Sequence, residues 1–191
     1  MSQSLCEALV KDVGFGMIFA GTPEGPRVVH APVLWTDDGA VQFHVARRNA
    51  IAPHLPGATA LCVINGPDAY VSPRWYSKPA QVPTWNYVSV ELEGYVRELD
   101  EDGLRRQLAT LIATHEARLS NGTPSTFDQV PADDVNAMIA EIVGFELEVR
   151  EWRPTFKLSQ NKSGQERERV ARGLEEAGAT GVARLMRDLI T

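Results

Sequence analysis

The chain has few cysteines and lacks a long apolar run. These two features restrict the classes of protein to which it can belong. Cys6 and Cys62 are its two cysteines, and they form no Cys-x-x-Cys pair. Thiols this far apart favour buried, reduced side chains over a disulfide framework. No stretch reaches the roughly 20 apolar residues that a membrane helix needs, and the first residues lack a charged-then-apolar signal pattern. We therefore expect a cytoplasmic protein with no membrane partner.

The motifs of several common active sites are also missing from the sequence. There is no Gly-x-Gly-x-x-Gly between a strand and a helix, no P-loop, no nucleophile elbow and no paired carboxylates. His30, His44 and His54 share no ligand spacing with one another, so we expect no metal site. The net charge of −6 opposes bulk attraction to DNA or an anionic membrane. No catalytic side chain can be named from the sequence.

The pattern of apolar residues predicts a meander of short strands, with helices later in the chain. Apolar or alternating runs bounded by Gly, Pro, Asn and Asp turns predict strands at 17–20, 27–35, 40–45, 58–64, 69–72, 86–96 and 145–152. Helical spacing predicts helices at 4–10, 50–54, 102–119, 132–143, 165–177 and 180–190. The connections between the first three strands are too short for parallel crossovers. The sequence therefore predicts an α+β fold and favours a small antiparallel β-barrel of about six strands with added helices, although the pattern alone does not imply that the barrel closes.

One stretch, Gly66 to Gly94, concentrates aromatic and proline residues. It contains two of the four Trp and three of the four Tyr, together with four prolines. Aromatic rings cost little conformational entropy to fix and offer flat faces to a flat ligand or a partner chain. Because proline stiffens the chain, this stretch is typical of a binding surface rather than a connection.

Two polar segments carry groups suited to a ligand. In HVARRN, His44 to Asn49, the Arg47 and Arg48 side chains and the start of a short helix would cradle a phosphate; a surface arginine pair is the alternative. KLSQNKS, Lys157 to Ser163, is either a capped strand-to-helix turn or a ligand site. His115 lies on the apolar stripe of a predicted helix and is expected to be a core histidine.

Taken together, four blocks of the sequence resemble the PaiB-type FMN-binding regulators. HVARRN, GPDAYVSPRWY, VPTWNYVSVELEG and FKLSQNKSGQERERV occur in the order of that family. The resemblance implies an antiparallel six-stranded FMN-binding split barrel, similar to pyridoxamine phosphate oxidase, with peripheral and C-terminal helices. It also implies a homodimer with the flavin at the subunit interface. A single domain would span 1–191, with barrel strands in 1–100 and 144–153 and mainly helices in 103–143 and 165–191.

The resemblance also assigns residues to the flavin. The strand His30-Ala31-Pro32-Val33 would be a wall beside the isoalloxazine ring, although the family has Leu where this chain has Ala31. Arg47 would lead the phosphate contacts. The supporting residues of the phosphate site would be His44, Arg48 and Asn49.

The remaining assignments fall on the aromatic stretch and the C-terminal block. Trp85, Asn86 and Tyr87 would lie near the ring or its polar edge, and Trp75 would cover the flavin or seal the dimer. Residues expected to reach the cofactor from the partner subunit are Lys157 and Gln160.

Two functions follow from this resemblance. The first is a flavoprotein that uses FMN for redox chemistry on a small molecule, in which the cofactor supplies the chemistry. The second is a transcriptional regulator whose FMN is a structural or sensing ligand, without turnover. The acidic charge balance and the lack of a helix-turn-helix signature argue against direct reading of DNA.

Overall fold

A computed structural model describes residues 3–78, 81–119 and 122–189 of the chain. Its helices, in chain order, are α1 Gln3–Val13, α2 Glu101–Glu116, α3 Ala132–Ala140, α4 Gly164–Glu176 and α5 Thr180–Asp188. Its strands are β1 Phe15–Thr22, β2 Gly25–Trp35, β3 Ala40–Ala46, β4 Thr59–Val71, β5 Thr84–Glu98 and β6 Ile142–Lys157. Short 3-10 helices lie at Ala52–His54, Pro73–Trp75 and Phe127–Gln129.

The six strands close into a barrel in the order β1-β2-β3-β6-β5-β4. Neighbouring strands are antiparallel, with Met17 opposite His30 in β1 and β2, and His44 opposite Gly144 in β3 and β6. The β1–β2 and β2–β3 connections are short, as antiparallel pairing allows. The prediction of an α+β fold built on an antiparallel six-stranded barrel is therefore confirmed.

Alternation along the strands decides which side chains enter the barrel core. In β2, Ala31 and Val33 are buried whereas His30 is exposed and Pro32 half-buried, as a period of two requires. The centroids of Phe43 and the buried Phe145 ring lie 5.6 Å apart within this core.

The chain divides into two compact units. The first comprises the described residues up to Ile64 together with Glu91–Arg153, and the second comprises Asn65–Val90 with the described residues from Pro154 onward. This division into compact units does not test the prediction of a single domain over 1–191, which stays a prediction.

In the first unit, α2 and α3 pack on each other through a small apolar cluster. The Asp100 side chain caps α2 by accepting the Gly103 N–H at 2.7 Å, which satisfies one of the unpaired amides at the helix start. Leu104, Val135 and Ile139 form the buried cluster. These contacts hold α2 and α3 in place, and side chains of both helices line an apolar cavity of the first unit.

The second unit is held together by α4 and α5. Val170, Leu174 and Met186 are at most 2% exposed, and Ser163 caps α4 by accepting the Glu166 N–H at 3.4 Å. Arg187 of α5 donates to Glu168 and Glu175 of α4. No helix within the described ranges is long and apolar enough to cross a membrane.

Several predicted elements differ from the structure. A turn was expected at Asn65–Asp68, but β4 runs unbroken through it, because Gly66 does not take the positive φ that an Asn-Gly turn needs. The helix predicted at 132–143 ends at Ala140, and β6 begins at Ile142. His115 is exposed rather than a core residue, because it lies at the edge of the apolar stripe of α2.

The two cysteines behave as the sequence predicts. Cys6 and Cys62 are free and buried. Burial raises the pKa of the Cys62 thiol to about 12, so this group stays protonated at neutral pH. Both residues act as small apolar side chains of the core.

Candidate functional site

An apolar cavity of about 540 Å³ lies in the first unit, over the outer faces of β2 and β3. Pro32 and His44 contribute from the strands, and Phe15 contributes from the start of β1. The helical and loop residues that complete it include Leu108, Leu111, Ile112, His115, Phe127, Val130 and Met138. Its volume falls within the range of about 300–1,000 Å³ that is usual for small-molecule and cofactor sites.

His44 provides an unpaired hydrogen-bonding group in this cavity. Its Nδ1 atom is buried and has no partner among the described residues. Burial lowers the pKa of the imidazole below 6.5, so the ring is neutral at pH 7. An unpaired buried polar atom costs about 1–3 kcal/mol, and a ligand that hydrogen-bonds to Nδ1 would remove that cost.

The strand predicted to form the flavin wall presents only alternate side chains to this face. Pro32 lines the cavity, and His30 lies exposed further along β2. Ala31 and Val33 are 1% and 3% exposed and belong to the barrel core. Any contact of these two residues with a ligand on the outer face must therefore come from their backbone.

In the predicted phosphate site, Arg47 and Asn49 make hydrogen bonds to backbone groups of the chain itself. Arg47 donates from Nε to the Ala140 carbonyl at 2.9 Å and from Nη2 to the Ile142 carbonyl at 3.0 Å. It thereby satisfies the last carbonyl of α3 and a carbonyl at the start of β6. Arg48 is exposed, and the Asn49 side chain accepts the Ile51 N–H at 3.1 Å to shape the turn that follows.

Acidic side chains share a cavity with Arg47. This cavity of about 410 Å³ is also lined by Glu98, Asp100 and Glu101, as well as by Arg105. Carboxylates in the lining disfavour a bound phosphate, which weakens the case for an anion at Arg47. The phosphate role of Arg47 and its neighbours stays a prediction.

In the second unit, the two most distinctive strings of the sequence meet. The buried Asn86 of VPTWNY donates to Ser159 Oγ of KLSQN at 3.0 Å, and Lys157 Nζ donates to Thr84 Oγ1 at 2.7 Å. A polar cavity of about 430 Å³ opens at this meeting point. The described residues that line it are Tyr76, Gln81, Val82, Thr84, Asn86, Lys157, Ser159, Gln160, Asn161 and Lys162.

The turn beneath this cavity is tightly specified. Ser159 has φ of +61°, the one positive φ of a non-glycine residue within the described ranges. Gln160 braces the turn on both sides, because its Oε1 accepts the Leu158 N–H at 2.8 Å and its Nε2 donates to the Phe156 carbonyl. Such backbone strain is found at binding sites more often than elsewhere.

The aromatic residues assigned to the flavin lie in different settings. Trp85 is 52% exposed and packs edge-on against Tyr70, with 6.2 Å between the ring centroids. Tyr87 is half-buried in β5. Trp75 lies against α4, where its indole covers the backbone of Gly173 so closely that a β-carbon there would be 2.6 Å from ring carbon Cγ.

Part of the first cavity was not visible to sequence reasoning. Leu108 and Leu111 were predicted as a helical stripe, but nothing in their spacing showed that part of the stripe faces open space. Phe127 and Val130 offered a weak signal, since they are apolar residues in an otherwise polar loop. Their role depends on how the loop folds over α2, which is a tertiary property.

Comparison with known proteins gives a consistent result. A family model described as "Putative FMN-binding domain" matches residues 1–151. The Bacillus subtilis (strain 168) "Protease synthase and sporulation protein PAI 2" is 33% identical over 186 residues, covering 94% of this chain and 88% of that protein. An uncharacterized Aspergillus fumigatus protein is 28% identical over 171 residues, covering 78% of this chain and 65% of that protein.

Solved structures share the fold. A FAD and heme binding protein from Mycobacterium smegmatis superposes with a TM-score of 0.63 at 15% identity, covering 87% of this chain and 76% of that one. The flavocytochrome Anf3 from Azotobacter vinelandii has a TM-score of 0.54 at 18% identity, covering 86% of this chain and 72% of that one. These likenesses establish a split-barrel fold for this chain.

The residues of the first cavity fit a flavin. A mostly apolar lining suits the flat isoalloxazine ring, and the unpaired His44 Nδ1 can exchange a hydrogen bond with a polar atom of that ring. Of the residues that the family resemblance assigns to the flavin, Pro32 and His44 line this cavity. The chain belongs to the PaiB-type family of FMN-binding split-barrel proteins, and FMN is its cofactor.

Proposed function

We propose that this protein is a homodimeric, cytoplasmic flavoprotein that uses FMN for redox chemistry on a small molecule. The observation that carries the proposal is the apolar cavity of about 540 Å³ with the unpaired Nδ1 of His44. A purely structural cofactor needs no spare room. Here the lining extends from β2 and β3 to α2 and the 125–130 loop, and a second small molecule would bind on the helical side of the cavity.

The side chains have binding and shielding roles in this proposal. Neutral His44 holds a hydrogen bond at the flavin or at a second molecule, and Leu108, Leu111 and Phe127 exclude water. Bound FMN supplies hydride or electron transfer, so no side chain has to act as an acid or a base. This accounts for a site without a catalytic constellation.

A second copy of the chain would cover the exposed aromatic surface of the second unit. Tyr70, Val82 and Trp85 are 48%, 78% and 52% exposed. Exposed apolar groups that cluster in this way are typical of interfaces. In the dimer, Lys157 and Gln160 would reach the flavin of the partner subunit, in agreement with the family resemblance.

The competing proposal is a transcriptional regulator with FMN as a sensing ligand. It is supported by the name of the Bacillus subtilis relative, "Protease synthase and sporulation protein PAI 2". The net charge of −6 is unfavourable for phosphate contacts. DNA retention at about 0.15 M salt separates the two proposals, because nonspecific binding is weak there.

Anaerobic reduction of the FMN-loaded protein tests the redox proposal. Mixing it with NADH or NADPH should bleach the flavin absorbance, and reoxidation by an added acceptor should restore it. Flavin that stays oxidised with both reductants, in a protein that retains specific DNA at about 0.15 M salt, would favour the regulator instead.

A further inference from the structure

The polar cavity of the second unit contains two ammonium groups and, among its described lining residues, no carboxylate. Lys157 Nζ donates to Thr84 Oγ1 at 2.7 Å, and Lys162 Nζ donates to Gln81 Oε1 at 2.8 Å. Both acceptors are neutral oxygens. The cavity therefore has two positive charges that its own lining does not neutralise.

Several arginines elsewhere in the described chain have acidic partners. Arg97 pairs with Glu146 at 2.6 Å, and Arg153 pairs with Glu91 at 3.0 Å. Arg187 likewise binds Glu168. In an acidic protein with many carboxylates available, two lysines that face a cavity on neutral partners stand out as an anion site.

Glu166, whose charge interacts with that of Lys162, has other hydrogen-bond partners. Glu166 accepts the Ser77 N–H at 3.1 Å and also accepts the Ser77 hydroxyl. These hydrogen bonds, helped by the charges of Arg169 and Lys162, hold the pKa of Glu166 below its usual value. Glu166 therefore directs its hydrogen bonds to Ser77, and within the described ranges it interacts with Lys162 through its charge, without an ion-pair contact.

Contacts with neighbouring residues hold the two lysine side chains in place. The Lys162 ammonium lies 5.2 Å from the centroid of the Tyr76 ring, within cation–π range. Lys157 ends β6 immediately before the turn with the positive φ at Ser159, and buried Asn86 ties that turn to β5. A site with fixed donors pays less entropy on binding than a pair of free surface lysines.

We propose that this cavity binds the phosphate group of a small molecule between Lys157 and Lys162. Lysine ammoniums act as point charges for phosphate, and two of them match its double negative charge. The phosphate has two possible sources, FMN itself and a second, phosphorylated substrate. The second source rests on the proposed redox function, whereas the first needs only FMN binding.

Ligand titration of Lys157→Gln, Lys162→Gln and the double variant tests the proposal. The probes are FMN, riboflavin and inorganic pyrophosphate, the last titrated into both the apoprotein and the FMN-loaded protein. Lys11→Gln, in the exposed part of α1, is the matched control. Melting temperatures confirm that each variant folds.

Two results would support the site and distinguish the sources. If FMN is the source, each lysine variant should bind FMN about tenfold or more weakly and riboflavin as the wild type does. If a second substrate is the source, both flavins should bind normally, and pyrophosphate should bind the FMN-loaded variants about tenfold more weakly.

Two other results would overturn the proposal. One is unchanged binding of all three probes in the double variant. The other is an equal loss of FMN and riboflavin with unchanged pyrophosphate binding, which would place the lysines at the ring. A protein that binds pyrophosphate through these lysines but never transfers electrons would retain the anion site and lose the redox function.

Arg47→Ala provides the comparison with the phosphate cradle predicted from sequence. A selective loss of FMN over riboflavin in this variant, with normal flavin binding by the lysine variants, would assign the FMN phosphate to Arg47. The lysine cavity would then hold the phosphate of a second substrate, provided that pyrophosphate binding to the FMN-loaded lysine variants is weakened.

Discussion

His44 links the chemistry of one side chain to the stability of the whole protein. Its pKa is lowered by burial, so the folded state resists protonation of a ring that titrates near 6.5 when exposed. As pH falls below 6.5 toward the His44 pKa of the folded state, the unfolded chain therefore binds a proton at His44 more readily than the folded protein does. The stability that neutral His44 provides is complete above 6.5 and declines below it.

We expect apoprotein stability to fall between pH 7.5 and 5.5, and His44→Leu to remove part of that fall. Urea unfolding at several pH values measures it. His30→Gln, at an exposed position of β2, is the control and should retain the wild-type dependence. His115 and Glu116 line the same cavity, so the comparison of variants, rather than the wild-type slope alone, decides the contribution of His44. An unaltered slope in His44→Leu would contradict this account.

At the scale of elements, the contact between the Pro73–Trp75 helix and α4 depends on a missing side chain. Gly173 lies within α4, where alanine would ordinarily stabilise the helix by about 1 kcal/mol. The indole of Trp75 occupies the space that a β-carbon would need. Local propensity and packing therefore make opposite predictions at this position.

We expect Gly173→Ala to lower the free energy of unfolding by about 1–3 kcal/mol and to move the tryptophan emission to longer wavelength. Gly164→Ala in the same helix is the matched control, because a β-carbon there meets open space, and it should be neutral or slightly stabilising. Chemical denaturation with fluorescence detection measures both variants. If Gly173→Ala were as stable as the control, Trp75 would not pack as described.

The elements show which features sequence patterns can predict. Strand periodicity identified β2, β3 and the start of β6, because alternating burial leaves a period of two in the sequence. The unbroken course of β4 through Asn65–Asp68 was missed, since turn-prone residues also accept extended backbone when neighbouring contacts favour it. Pro67 is held in this strand against Gly181 of α5, a contact between residues more than a hundred positions apart.

The candidate site was also predictable only in part. Sequence motifs identified residues of the site, but they did not show the tertiary contacts that these residues make. Motif resemblance named Pro32 and His44, which line the apolar cavity, and also Asn86 and Lys157, which line the polar cavity. It could not show that Arg47 is engaged with the end of α3, because that contact depends on where the helix stops. Propensity does not fix helix ends to within a residue.

At the scale of the whole molecule, the dimer remains a proposal with a direct test. We expect the wild type to sediment as a dimer and Trp85→Ser to raise the dimer dissociation constant by tenfold or more, which corresponds to about 1.4 kcal/mol or more. Tyr95→Ser, at a half-exposed aromatic of the first unit, is the control. A wild type that sediments as a monomer would contradict the proposed interface.

The central claim is that FMN lies in the apolar cavity beside His44, and filling that cavity tests it most directly. Met138 lines the cavity and is 54% exposed, so Met138→Trp adds volume there with little disturbance of the core. Leu119→Trp, 65% exposed, is the control. The measurement is a fluorescence titration with FMN and riboflavin. We predict that Met138→Trp weakens both flavins about tenfold or more while the control binds as the wild type does; unchanged FMN binding by Met138→Trp would place the flavin elsewhere.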